Sequence, residues 1–399
     1  MNLLFRLAKE PECAITALSM PAIGKETKRV AQDCLAPIVT FQAYLSTLSW
    51  GLFVLSFTSI LENSFTKIVS ALVLSAMLLV PQVADWDSIL TSESLTFSLF
   101  ALMLSLVVGL VRQRLKGIAK PGDSGWITVL AILTAVAAAL WTLVRDTNVY
   151  ATALLSLIAI ALAIRDKLAR RPLLVPTALV LAVCVLAVVS ASQSLRWQNS
   201  LRQALDEYII PYPTRVAAFQ RYGMPSLGSV EYQSWFEHRA PITYLAFLGS
   251  HPGFVSTTLM NRIDSLFAEN NQPYFKSPDL PLREAALIVG DLLHPKSPSS
   301  VLIDVVLVLA ACAAALTYRN PWVSQQAIIL LWLLASATCT LIVSFFADPT
   351  AVERHVVFSL FLFRLISWLG MLVIIDLGLN KSSFGTGMTN GSRWTSPSP

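Results

Sequence analysis

Residues 81–97 read P-Q-V-A-D-W-D-S-I-L-T-S-E-S-L-T-F and separate two apolar runs, 68–83 and 95–111. Each run is long enough to cross a hydrocarbon core of about 30 Å, the first only just. Asp85, Asp87 and Glu93 stand between the runs. Carboxylates are costly in hydrocarbon, so these three belong at a water interface or in a cavity. Trp86 is an amphipathic ring of the kind found at headgroup level. The stretch therefore reads as a tight connector carrying three acids between two membrane helices.

The rest of the chain has the matching composition. Hydrophobic residues make up 55% and charged residues 13% of the sequence, and the mean hydropathy is +0.63. A soluble domain carries about 25% charged residues, so most of this chain belongs in lipid. The net charge of +5 is spread over short connectors rather than gathered on one face, which argues against a nucleic-acid partner. The five cysteines are Cys13, Cys34, Cys184, Cys312 and Cys339. Three lie in apolar runs and none forms C-x-x-C, so neither a disulfide framework nor a zinc site is indicated. His238, His251 and His294 likewise lack ligand spacing.

Nine apolar runs qualify as spans: 35–60, 68–83, 95–111, 126–144, 149–164, 173–189, 301–317, 323–346 and 356–375. Their length and lack of alternation call for helices rather than barrel strands. The expected fold is an all-α polytopic membrane protein with about nine transmembrane helices and one mostly helical extracytoplasmic segment. Its divisions are a leader or interfacial helix (1–34), six helices (35–189), the extracytoplasmic segment (190–300), three helices (301–378) and a disordered cytoplasmic tail (379–399).

Orientation follows from Lys and Arg in short connectors. Arg112, Arg114, Lys116 and Lys120 crowd one of them; Arg165, Lys167, Arg170 and Arg171 crowd another. Both are expected in the cytoplasm. Alternation then puts Asp85–Glu93, Arg145–Asn148, 190–300 and Asp348–His355 outside, and the Arg319 connector and the tail inside. Lys25, Lys28 and Arg29 fall outside, against the rule.

Three charged clusters that orientation does not explain therefore share one face. They are Asp85, Asp87 and Glu93; Arg145 and Asp146; and Asp348, Glu353, Arg354 and His355. A carboxylate at an interface can act as a base or metal ligand, and an arginine fork can hold phosphate. Each cluster also has a plainer reading. Asp85 and Asp87 suit a solvated turn, and Glu93 suits the N-terminus of a helix. Arg145 and Asp146 can simply pair, and Glu353, Arg354 and His355 can anchor the last span at the interface. Arg364 lies about 13 Å into that span at about 1.5 Å per residue. At this depth it must snorkel, find a partner or line a cavity. Gln42 reads as a cavity residue or a helix–helix hydrogen bond.

Certain motifs resemble the multi-spanning glycosyltransferases of the C superfamily, close to the bacterial protein-mannosyltransferase-like (family 39) branch. They are Pro81 followed by Thr91-Ser92-Glu93-Ser94-Leu95, then Arg145-Asp146-Thr147-Asn148, Phe219-Gln-Arg-Tyr-Gly-Met-Pro225, and Asp348 with Glu353-Arg354-His355. The resemblance covers about 29–377, and the order and common sidedness of the motifs carry it. It implies a multi-pass protein of the bacterial inner (plasma) membrane with its large loop extracytoplasmic. It implies transfer of a sugar from a polyprenyl-phosphate carrier to an acceptor at the outer face, with inversion, often with a divalent metal (Mg or Mn). Membrane lipid and the polyprenyl-phosphate-linked sugar are the implied partners.

On that reading Asp85 or Asp87 is the acceptor base or metal-binding acid, and Glu93 supports it. Arg145, Asp146, Asp348, Glu353, Arg354, His355 and Arg364 bind substrate, with Arg354 and Arg364 holding phosphate. No metal ligands are otherwise assigned. The family's main catalytic acid sits in the loop after a first span. Here the acids at that place, Glu10, Glu12, Glu26 and Asp33, match no motif, so the usual first span and first outer loop are expected to be missing. That departure supports the alternative, a non-catalytic relative that acts as a binding or scaffold subunit in envelope glycan assembly.

Overall fold

The computed structural model describes residues 36–119, 124–165, 167–194, 196–268, 272, 281–318, 320–349 and 352–387. The leader and its acids, Lys120, Arg319 and 388–399 lie outside them. In chain order the first helices are α1 (Ala36–Thr58), α2 (Ser64–Leu79), α3 (Pro81–Ala84), α4 (Ser92–Ala119), α5 (Ser124–Val144), α6 (Asn148–Arg165) and α7 (Lys167–Gln193). Then come α8 (Arg196–Tyr208), α9 (Pro213–Arg221), α10 (Val230–His238), α11 (Ala240–Ser250), α12 (Pro252–Ala268) and α13 (Pro281–Leu293). The chain closes with α14 (Ser299–Tyr318), α15 (Pro321–Ala347) and α16 (Val352–Gly387). The described residues contain no strand. This is an all-α polytopic membrane protein.

Eight helices, α1, α4, α5, α6, α7, α14, α15 and α16, are long and apolar enough to cross a membrane. The expected run at 68–83 is different. Here α2 and the 81–88 segment meet at a bend of 51°. Pro81 accounts for the bend, because it offers no N–H to the helix and holds Val80 in an extended conformation. The nine expected spans thus become eight plus one broken one among the described residues. The chain from Pro81 folds into α3 and a 3₁₀ turn (Asp85–Ser88) instead of a simple connector. Trp86 is consequently buried, packed inward by that turn.

The last span is the centre of the bundle. It packs against α14 and α15 and touches α2, α4 and α12. Val356, Phe361, Phe363, Ile366 and Leu369 on different sides of it are all buried. A helix apolar all round is expected to be interior. Beside it, Phe358 meets Phe100 at 5.1 Å and Trp141 at 5.7 Å. Two of the buried indoles are satisfied by backbone carbonyls, Trp141 Nε1 to Thr96 O and Trp332 Nε1 to Ala151 O, each at 3.0 Å. The indole N–H groups of buried Trp50, Trp86 and Trp235 find no protein acceptor among the described residues.

At the opposite end of α16, buried Asp376 accepts from the amides of Glu62 and Asn63 at 3.0 and 2.9 Å. It thereby satisfies backbone donors that the start of α2 leaves open. The helix runs on to Gly387, so 379–387 is helical and not part of a disordered tail.

Helices α8–α13 pack over the end of the bundle that carries Glu93. Their core is aromatic: Phe219 lies 5.1 Å from Phe247, and Phe247 5.4 Å from Phe254. Tyr208 joins this core to Phe346 of α15 at 5.8 Å, and Tyr244 donates its hydroxyl to Phe346 O at 2.9 Å. The stretch Phe219–Pro225 proves to be a helix stop. Gly223 has φ +88°, Met224 N bonds Phe219 O, and Gly223 N bonds Gln220 O. Glycine is needed there because a side chain is strained at such a φ.

Candidate site at the Glu93 end of the bundle

Glu93 opens α4 and is only 1% exposed. Arg354, in the first turn of α16, grips it with Nε to Oε1 at 2.9 Å and Nη2 to Oε2 at 3.3 Å. Arg145, just past α5, brings Nη1 to within 3.7 Å of Glu93 Oε1. Its Nη2 donates to His355 O at 3.1 Å and lies 3.0 Å from His355 Nδ1. A guanidinium can only donate, so Nδ1 is the acceptor and neutral His355 carries its proton on Nε2. That nitrogen faces Asp348 Oδ2 at 3.5 Å. Ser200 of α8 donates to the same oxygen at 3.0 Å. Burial pulls the Arg145 pKa down, and the Glu93 carboxylate opposes this.

Residues from α4, the α5–α6 link, α8, the end of α15 and the start of α16 thus form one connected network. It joins Glu93, Arg145, Asp348, Arg354 and His355, drawn from all three clusters singled out in the sequence. The physical reason is common to all five. Each stands within a few residues of a span end, and the packing of α16 at the centre brings those ends together.

The other sequence candidates lie elsewhere. Asp85 pairs with Arg283 of α13. Asp87 turns the other way and accepts from Ser94 Oγ at 2.6 Å. Glu93, Asp85 and Asp87 therefore do not form one acidic site. Glu353 points to Arg262 of α12, at 3.4 Å, and Arg262 also pairs with Glu207 at 3.1 Å. Asp146 is exposed. Arg364 is 3% exposed and lies outside the network. It donates to Phe267 O at 3.1 Å and Pro295 O at 3.4 Å, with its guanidinium 5.9 Å from the Phe267 ring. Carbonyls at the end of α12 and after α13 answer its charge, so it neither snorkels nor lines a lipid groove. Gln42 is buried with neither amide atom hydrogen-bonded.

A divalent metal does not fit what is here. Among the described residues no three His, Cys, Asp or Glu side chains converge to hold one, and Asp85 and Asp87 have separate protein partners.

Comparison with protein-family models, curated proteins and solved structures gives no match. The chemistry must therefore be read from the molecule itself. Directly beyond the Glu353–Arg262–Glu207 bridge is an open cleft of about 710 Å³. Helices α8, α9, α11 and α12 line it, through residues that include Tyr212, Arg215, His251, Phe254 and Asn261. None of these five carries a motif, and Arg221, which also lines the cleft, is the one lining residue in the Phe219–Pro225 stretch. An apolar cavity of about 110 Å³ is lined by Arg114, Ile127 and Leu173 among others. It lies toward the ends of α4 and α5 remote from Glu93 and Arg145, so it does not join this site.

Proposed function

We propose that the protein acts at the outer face of a membrane as a glycosyltransferase-like enzyme, taking a sugar from a polyprenyl-phosphate carrier. The observation that supports this reading is the convergence of Glu93, Arg145, Asp348, Arg354 and His355 beside an open polar cleft. Such a place suits a substrate whose tail stays in lipid while its phosphate and sugar reach water. In the reaction an acceptor hydroxyl oxygen bonds to the anomeric carbon and the bond from that carbon to the phosphate oxygen breaks. Polyprenyl phosphate leaves with the bonding pair. The hydroxyl proton goes to Asp348, whose side chain is 26% exposed and open to an acceptor, whereas Glu93 is closed off. Arg354, 33% exposed, is the guanidinium of the network within reach of the leaving phosphate.

One observation favours a second reading. Glu93 is already answered by two guanidinium groups, as in a structural clamp. On that reading the protein binds the lipid-linked sugar as a scaffold and does not turn it over. Purified protein in nanodiscs, given labelled polyprenyl-phosphate sugar, separates the two. Turnover lost in Asp348→Asn supports the enzyme; tight binding with no turnover in the unmodified protein leaves the scaffold.

A further inference from the structure

The cleft between α8–α9 and α11–α12 has a recognisable chemistry of its own. Arg215 lies with its guanidinium carbon 3.8 Å from the centre of the Tyr212 ring and 4.5 Å from that of Phe254. Two aromatic rings thus cover the guanidinium, and a planar donor group of this kind binds a ligand through N–H groups at its edge. One of these goes to Tyr208 O. No carboxylate pairs with Arg215 among the described residues. A cation presented edge-on, without an ion-pair partner, is matched to a planar or tetrahedral anion.

The rest of the lining suits a polyhydroxylated ring. His251 stacks on Phe247 at 4.3 Å, and its Nδ1 is 2.9 Å from Phe247 O. A carbonyl only accepts, so Nδ1, which also lies 3.0 Å from Ser250 Oγ, donates to Phe247 O, and Nε2 is the ring nitrogen left to meet a sugar hydroxyl. Thr257, Thr258 and Asn261 add small donors and acceptors along one side. Tyr208, its hydroxyl pKa pushed up to about 12 by burial, remains a neutral phenol. Arg221 adds a second cation at the rim, while Arg262 is held by Glu207 and Glu353.

We infer that this cleft binds an anionic saccharide, one bearing a carboxylate or phosphate, with the anion on Arg215 and sugar hydroxyls on His251 and the Thr257–Asn261 side. It rests on the proposed function only in making this saccharide the acceptor of the transfer; the binding site itself stands on the cleft.

The test uses the full chain in nanodiscs and titrates a hexuronate oligosaccharide against its neutral hexose counterpart of equal length. The acidic ligand should bind at least about tenfold more tightly, with affinity falling as salt rises. Arg215→Ala should remove that preference, and Tyr212→Ala should weaken it, while Arg283→Ala, remote from the cleft, should leave it unchanged. Equal binding of the two ligands, or an unaltered preference in Arg215→Ala, overturns the inference. Displacement of the oligosaccharide by polyprenyl phosphate alone assigns the cleft to the donor and overturns the acceptor role. Selective acidic binding without any sugar transfer would refute the proposed function but leave the cleft's ligand standing.

Discussion

Arg354 Nε donates to Glu93 Oε1 at 2.9 Å across 261 residues of sequence, fastening the first turn of α16 to the first turn of α4. The glutamate is almost wholly enclosed and the arginine is one-third exposed. Their roles are therefore unequal. Removing the arginine leaves a buried carboxylate short of its main partner, while removing the glutamate leaves Arg354, which water can reach, and Arg145, which is largely buried and loses its counter-charge.

Arg354→Ala should accordingly destabilise the protein by about 2 to 3 kcal/mol. That is below the usual cost of breaking a buried pair, because Arg145 stays in place and Arg354 is partly solvated. Glu93→Gln should also destabilise, because Arg145 loses its counter-charge, and Glu93→Gln with Arg354→Ala should recover part of the single-arginine loss. Thermal unfolding in nanodiscs measures all three. A double variant as unstable as the sum of the singles would mean that the two residues do not act on each other.

A second contact ties the broken span to α13. Gln82 Nε2 donates to Leu287 O at 3.3 Å and to Asp291 Oδ1 at 3.2 Å. Its amide lies where a side chain at Gly290 would go. In Gly290→Ala the new methyl group should push this flexible amide out of its bonds, costing about 1 to 2 kcal/mol. Gln82→Ala should cost a similar amount, and the double variant no more than either alone. Full additivity in the same unfolding measurement would show that Gly290 acts through something else.

The sequence made the membrane helices legible because apolar length is a local property. It also singled out nine residues in three clusters near span ends, and five of them, Glu93, Arg145, Asp348, Arg354 and His355, meet because the packing of α16 brings their span ends together. What it could not supply was direction at those ends. Asp85 and Asp87 are two residues apart, yet a 3₁₀ turn sends one to Arg283 and the other to Ser94. Arg364 reads as a deep charge in lipid until α12 and the turn after α13 are seen to bring carbonyls to it. The cleft at Arg215 was invisible because two aromatic residues 42 positions apart, Tyr212 and Phe254, define it only after the helices pack.

His294 carries a pH signature. It is 1% exposed, with Nε2 3.0 Å from Met77 O, and burial together with the Arg364 charge lowers its pKa to about 4. An unfolded histidine titrates near 6.5, so between these values the unfolded chain binds the extra proton. Stability should therefore fall as pH drops from about 6.5 toward 4, by up to about 1.4 kcal/mol per pH unit from this group. His294→Gln retains a side-chain donor for Met77 O and removes the titration, so its unfolding temperature should change less over that window. An identical pH slope in the variant would assign the effect to other groups.

Sidedness is the premise that gives the charged network access to an outer-leaflet substrate. Ser88 ends the 3₁₀ turn on the Glu93 side, and Gly117 lies near the far end of α4. A helix rises about 1.5 Å per residue, so α4 carries the chain from one side of the bilayer to the other between these positions. The native cysteines would first be replaced by serine or alanine. In intact cells a membrane-impermeant thiol reagent should then label Ser88→Cys and spare Gly117→Cys, with both reacting once the membrane is opened. Labelling at 117 with protection at 88 would place the Glu93–Arg354 network in the cytoplasm. An outer-face transfer would then be impossible, although the fold and the ligand of the Arg215 cleft would be untouched.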